Sequence, residues 1–280
     1  RKNKCVRKRR MTHLARQALI PAMPTRNEIM AIRGLREKSV RHTERKFVVE
    51  GHKCVAEALQ SGWTIDSLFA TAHSDCPESW GAAPASSKEM ERMSSFKSPP
   101  GVLAVVEMPD VATPSAESWS SQEDAAFGLA VDGLSDPGNL GTLMRTADWF
   151  GLSGIWVSED VVDPYNPKVV QASMGAIFRV KVWEASMLSL MKDMSSCGVR
   201  TFGLAMDGED VWSMKGVPGA PQKWLAVLGS ESHGLTEAVS SECQSKVHIP
   251  GAGKTESLNA TMAAGMVMGE WFARSRSGGR

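Results

Sequence analysis

The stretch from Phe127 to Gly151 constrains this chain more than any other. Phe127 to Leu134 (FGLAVDGL) is apolar and runs straight into Asp, Pro, Gly and Asn, the pattern of a buried strand entering a tight turn. DPGNLGTLMRTADWFG then has helical spacing, with Leu140, Leu143, Met144 and Ala147 on one face. Pro137 and Asn139 suit a helix entry whose first turn offers free backbone N–H groups beyond the strand. Gly141 and Arg145 lie four apart, so Gly141 is expected to clear room beside the backbone and Arg145 to project into that room. Such a unit holds an anionic or polyhydroxy ligand, although a helix cap with a surface Arg would be spelled the same way.

The chain beyond it alternates strand and helix: GIWVSE, a helix from Pro167 to Gly175, IFRVKVW, a helix from Ala185 to Cys197, and VRTFGLAM. KWLAVLGSE, a short helix from Thr236 to Cys243, KVHIP, and a long helix from Ser257 to about Ala273 complete it. Six strands alternating with helices predict an α/β domain with a mostly parallel sheet covered on both faces. Ligands of such sheets bind beyond the carboxyl ends of the strands. Two further stretches fall there: GSESHGL (Gly229 to Leu235), with a carboxylate at Glu231, and IPGAGKTESLNATMAAG (Ile249 to Gly265). GAGKT invites a phosphate-loop reading, but the first glycine of that motif would have to stand where His248 sits inside the strand. Without it the tight phosphate cradle is missing.

Upstream, residues 26–108 read as a smaller α/β unit, with a helix from Asn27 to Lys38, a strand at FVVEG and a helix from His52 to Gln60. Strands near Ile65 to Thr71 and Gly101 to Met108 complete it. Pro109 to Asp124 is rich in Ser and Pro and reads as a linker joining it to a domain over 125–274, with a tail at 275–280. Residues 1–25 form a basic extension. Nine Lys or Arg and no acid precede residue 28, so with an overall charge of +1 the rest carries −8, and any contact with a polyanion must come from local patches. The opening, which starts with Arg, reads equally as an RNA-tracking arm, as part of an organelle transit sequence or as an unimportant extension.

The five cysteines are odd in number and scattered, as expected of reduced thiols inside a cell; bacterial cytoplasm and an organelle remain open. His52 and Cys54 lack two further ligands at metal spacing, so no metal is expected. No apolar run approaches the length of a membrane span.

The pattern Asn139, Gly141, Arg145, Ala147 and Gly151 resembles the first motif of the SpoU/TrmH branch of the SPOUT RNA methyltransferases. Ile249, Pro250, Ser257, Leu258 and Asn259 fill the places of that family's third motif, with Gly251 where Met is common. VVDPYNPKVVQASMGAIFRVKV (Val161 to Val182) resembles its middle segment. KSVRHTERKFVVEGHKCVAEAL resembles its N-terminal RNA-binding domain, which makes Arg41, Arg45, Lys46 and Lys53 candidate RNA contacts, beside the plainer reading of a solvated basic face. The resemblance covers about Arg26 to Ala273. A Rossmann-type methyltransferase would show a glycine-rich turn where this chain has DGLSDPGN.

The resemblance implies a trefoil-knotted C-terminal domain holding S-adenosylmethionine in a bent shape, with contacts from Gly229, Ile249 and Leu258, and a homodimer with the site near its interface. It further implies methyl transfer to a ribose 2′-hydroxyl of RNA, with ribosomal RNA favoured over transfer RNA because of the extra domain. The family assigns its equivalent of Arg145 as the base; since arginine stays protonated in proteins, Arg145 is better read as a clamp on phosphate and on the developing alkoxide. Asn139 and Asn259 would orient Arg145 and the ribose, Glu231 would fix the network, and Ser257 would hydrogen-bond near the phosphate. Helix capping is the plainer reading of Asn139, Ser257 and Asn259, and a surface ion pair that of Glu231. Three other functions stay open: a transfer-RNA 2′-O-methyltransferase, a base-nitrogen methyltransferase on the same scaffold, and a non-catalytic RNA-binding assembly factor.

Overall fold

The computed structural model describes residues 22–122, 127–152, 154–213, 223–230, 233–255 and 257–277. The N-terminal unit comprises α1 (Arg26–Gly34), α2 (Lys38–Glu44), β1 (Lys46–Glu50), α3 (His52–Gln60), β2 (Ile65–Ala70), β3 (Ala83–Pro84), α4 (Ser87–Met93) and β4 (Val102–Glu107). Its sheet order is β1-β4-β2-β3, with β4 antiparallel to both β1 and β2. Two capping boxes start helices here: Thr25 with Glu28 at α1, and Ser86 with Glu89 at α4.

The period of two along β4 divides this unit's core. Leu103 and Val105 face Ile29, Ile32, Met90 and Met93 under α1 and α4. Val102, Ala104 and Val106 face the other way and join a core that continues into the C-terminal domain.

That domain runs through α5 (Ala116–Ser120), β5 (Phe127–Val131), α6 (Pro137–Trp149), β6 (Gly154–Val157), α7 (Pro167–Ser173), β7 (Lys181–Glu184) and α8 (Met187–Ser196). It continues with β8 (Arg200–Asp210), β9 (Trp224–Leu228), α9 (Glu237–Glu242), β10 (Ser245–His248) and α10 (Ala260–Ser277). The six strands lie in the order β10-β8-β9-β5-β6-β7, and every pairing is parallel. Residues of α6, α7 and α10 cover one face, among them Leu140, Leu143, Val169 and Met268. On the other face Trp119 of α5, Met191 and Met194 of α8 and Val239 of α9 pack on Trp156, Leu225 and Val227. The alternation of Trp224, Ala226 and Leu228 with Leu225 and Val227 shows why β9, buried on both sides, reads as one apolar run.

Two readings are corrected by these elements. The segment IFRVKVW is strand only from Lys181; Ala176–Phe178 form a 3-10 turn because Met174 and Gly175 adopt positive φ and turn the chain. The stretch read as linker carries α5, capped by Ser115, with Trp119 buried edge-on against Trp156 at 5.3 Å between ring centroids.

The two domains meet along a packed seam. Phe47 lies 4.9 Å from Tyr165, and Trp63 meets Phe178 edge-on at 5.2 Å. Arg41 is buried: its Nε donates to Asp163 at 2.8 Å, and its Nη1 donates to the carbonyls of Leu35 at 2.9 Å and Arg36 at 2.7 Å. It is therefore an interdomain tie and not an RNA contact, since a desolvated guanidinium needs all of these partners. Arg45 pairs with Asp110 and Lys46 with Asp66, leaving exposed Lys53 as the member of that basic set with no ion-pair partner among the described residues. Arg179 reaches both Glu57 of α3 and Asp148 of α6. A Cβ on Gly175 would come within 2.6 Å of the Glu57 side chain, so glycine is what permits this approach.

Candidate active site

The carboxyl ends of β8, β9 and β10 open into one cleft of about 1100 Å3. Its walls include Leu204 to Asp207, Leu228 to Ser230, and Lys246 to Gly251, and α10 closes it with Ala263 and Val267. A volume of this order accommodates a nucleoside-sized cofactor.

Each wall has its own local cause. After β9, Gly229 is buried where a Cβ would lie 2.1 Å from the carbonyl carbon of Gly234. The turn closes there because Ser230 and Gly234 exchange two backbone hydrogen bonds of 2.9 Å, with Gly234 at φ 67. Glu231, expected to anchor this loop, lies outside the described residues. After β10, Ile249 is half-buried, residues 250–255 are exposed, and Asn259 caps α10: its Oδ1 accepts from the backbone N–H of Thr261 at 3.0 Å and of Met262 at 3.3 Å. The third wall comes from β8, whose register against β10 jumps between Lys246↔Gly203 and Val247↔Glu209. The excess residues, Leu204 to Gly208, bulge toward the cleft. At Gly208 a Cβ would sit 2.4 Å from the Val247 nitrogen, so a side chain is excluded where bulge and strand touch.

The first motif approaches from β5. Asp136 caps α6 by accepting from the Asn139 N–H at 2.8 Å, with Pro137 in the first turn. The cap is thus Asp136, and the Asn139 side chain meets the third motif. Asn259 Nδ2 donates to Asn139 Oδ1 at 3.3 Å, joining two residues 120 positions apart. Where β5 ends, Asp132 has a buried carboxylate oxygen with no hydrogen-bond partner among the described residues, a costly placement of the kind found at functional sites.

Of the residues singled out from sequence, Gly229, Ile249, Ser257, Leu258 and Asn259 all line the cleft. Arg145 does not. It is exposed on α6, in line with Thr142 and Trp149, and no described residue pairs with it. Asn139 and Asn259 bond each other and give Arg145 no hydrogen bond. Gly141 also departs from expectation: a Cβ there would lie 2.5 Å from the Ala172 side chain and 2.8 Å from Val169 O, so glycine serves the crossing of α6 over α7 and clears no space for a ligand. Sequence reasoning missed the β8 bulge and with it Asp207 and Lys246, which form a 2.9 Å ion pair on the cleft wall. The hydrogen bond from Lys246 holds the Asp207 carboxyl below the usual carboxylate range. The one signal for the bulge was Gly208 interrupting a strand-like run.

The model of the SpoU rRNA Methylase family matches residues 126–269, from the start of β5 into α10. The chain belongs to the SpoU rRNA methylase family. Residues 26–104 match the MRM3-like substrate binding domain. Among relatives, the 23S rRNA (uridine(2479)-2′-O)-methyltransferase of Streptomyces viridochromogenes is 29% identical over 268 residues, covering 89% of this chain and 89% of that protein. Among solved structures, a TrmH-family protein from Porphyromonas gingivalis is 33% identical with a TM-score of 0.77, over 91% of this chain and all of that one. An AdoMet-bound rRNA methyltransferase from Sinorhizobium meliloti is 26% identical with a TM-score of 0.77, over 90% and 97% of the two chains.

The cleft fits such a cofactor on this structure's own evidence. Its described lining is mostly apolar side chains and loop backbone, suited to an adenine ring and its edge, and Gly229 lets the loop after β9 fold tightly on Gly234 at the cleft wall. Among the described residues no group of three or more His, Cys, Asp or Glu is placed to hold a metal ion, and no helix is long and apolar enough to cross a membrane.

Proposed function

We propose that this protein methylates a ribose 2′-hydroxyl of ribosomal RNA, using S-adenosylmethionine held in the strand-end cleft. The observation that carries the reading is the meeting of Asn139 and Asn259 beside a cleft that Gly229, Ile249 and Leu258 also line. The cofactor supplies an activated methyl group on a sulfonium. The chain's own residues then have three tasks. Gly229 and Ile249 present backbone groups, and Leu258 closes over an apolar ring. Asn259, fixed at its Oδ1 by the cap of α10, orients Asn139 with its remaining N–H, so the two amides form a rigid edge against which a ribose is positioned. Arg145, permanently charged, binds the RNA phosphate and stabilises negative charge growing on the 2′-oxygen. Ser257 on the rim hydrogen-bonds near that phosphate, and Glu231 steadies the loop after β9.

The active unit is a homodimer with the cleft deep in a knotted chain. Trp149 (81%) on α6 and Met262 (56%) with Met266 on α10 are exposed on two helices that pack together, and we read them as one apolar strip, with Arg145 on the same exposed face of α6 as Trp149. A second copy seated there would bury the strip and enclose Arg145. Sedimentation of the wild type as a dimer and of Trp149→Glu as a monomer is the expected result.

The function is tested by incubating the protein with methyl-labelled S-adenosylmethionine and unmodified ribosomal or transfer RNA. Label in an alkali-resistant dinucleotide from ribosomal RNA is expected. Label in transfer RNA alone moves the substrate, label on a base changes the reaction, and failure to bind cofactor leaves an RNA-binding assembly factor.

A further inference from the structure

The cleft has a simple charge inventory. Among the described residues lining it, Asp207 is the one carboxylate and Lys246 the one permanent cation. They stand on different walls, Asp207 on the β8 bulge and Lys246 on β10, with Lys246 Nζ 2.9 Å from Asp207 Oδ2. Both are held in place by backbone. Gly208, next to Asp207, packs against Val247 where no side chain fits, and its carbonyl lies 2.7 Å from His248 Nδ1. The pair is open to solvent, with the Asp207 side chain 70% and the Lys246 side chain 36% exposed, and as a device for stability an ion pair in that position contributes little.

A ligand gives the pair a purpose. S-adenosylmethionine has an uncharged adenosine part and, at its far end, an ammonium and a carboxylate on a single carbon. The neutral and apolar remainder of the cleft suits the former, and one cation beside one anion matches the latter. We propose that Lys246 and Asp207 together hold the zwitterionic amino-acid end of the cofactor, Lys246 taking its carboxylate and Asp207 its ammonium. The inference rests on the cofactor assignment above and adds to it the two side chains that orient the cofactor end to end. Each contact is a charge-assisted hydrogen bond, strengthened as the ligand displaces water from the two groups.

The competing explanation is that the pair only tethers the bulge to β10. Exchanging the charges, Asp207→Lys with Lys246→Asp, keeps a tether and reverses the polarity offered to the ligand. Calorimetry on the full chain then compares S-adenosylhomocysteine, which has the amino-acid end, with 5′-methylthioadenosine, which lacks it. The expected result is a loss of about tenfold or more in affinity for S-adenosylhomocysteine in the exchanged protein and in Lys246→Met, with 5′-methylthioadenosine changed by less than about twofold. Wild-type affinity for S-adenosylhomocysteine in the exchanged protein overturns the proposal, as does an equal loss for both ligands. A wild-type protein that binds neither ligand overturns the cofactor assignment itself, a result distinct from the other two.

Discussion

At the seam between the domains the chain places interlocked aromatic rings and a buried, fully bonded arginine, whereas around the cleft it mixes apolar side chains with glycines, short polar side chains and exposed loops. Phe47, Trp63, Tyr165 and Phe178 interlock at the seam, and Arg41 satisfies its guanidinium on Asp163 and two carbonyls. The cleft is walled by Gly229, Gly251, Gly253 and a bulge, and residues 250–255 are exposed. Regions with few buried apolar contacts open at low free-energy cost, while a packed core yields only near global unfolding. The N-terminal unit is thus fixed relative to the parallel sheet, and adaptability is left to the loops around the cleft. The contrast teaches that mutation at the seam is read in stability and mutation at the cleft in binding and turnover.

The largest expected effect is at the seam. Arg41→Ala leaves Asp163 buried without its cation and is expected to cost about 3–5 kcal/mol, read as a lower urea midpoint. If cofactor affinity of the folded variant falls as well, the two regions are coupled and the contrast breaks.

Next comes Arg145→Ala. Turnover is expected to fall about 100- to 1000-fold by analogy with loss of one oxyanion donor, while stability changes by less than about 0.5 kcal/mol, because the side chain is exposed and unpaired among the described residues. A large drop in melting temperature with little change in turnover would reverse its assignment from site to scaffold.

Tyr165 offers a pH handle on the seam. Burial, with the nearby Asp163 carboxylate, pushes its phenol from an ordinary 10 up to about 12. The folded value lies above the unfolded one, so the contribution is complete below about pH 10 and is lost as pH rises toward about 12. The loss is of order 1–3 kcal/mol and should vanish in Tyr165→Phe, as followed by denaturant titration across that window.

The smallest effect sharpens the boundary between the regions. Asn259→Ala removes both the cap of α10 and the bond to Asn139, costing about 1 kcal/mol of stability, while Asn259→Asp keeps the cap and loses the donor. Turnover lost equally in both variants would assign Asn259 to the site; turnover preserved in the Asp variant would make it a cap alone.

Much of the fold was legible because its elements announce themselves locally. The apolar runs at β5 and β9, each buried on both faces, and the helical spacing of α6 depend on residues next to each other in the chain. The set of residues gathered by the strand ends was legible too, since a parallel sheet brings all its carboxyl ends to one side. Other features had no local mark. Arg41 sits in a basic run indistinguishable from a solvated face, and only Asp163, 122 positions away, makes it a tie. Trp119 stood alone in a Ser- and Pro-rich stretch, and its burial is decided by Trp156.

The sequence by itself determined the element types, the parallel sheet and the three segments at its strand ends, because period, propensity and turn chemistry act over a few residues. Only the tertiary structure decided that Gly141 admits α7 instead of a ligand, that Arg145 stands outside its own chain's cleft, and that Asp207 and Lys246 face each other on its wall. The first and last depend on close approach between distant segments, by steric fit at Gly141 and by the β8 bulge lying against β10, and the second on which strand ends line the cleft.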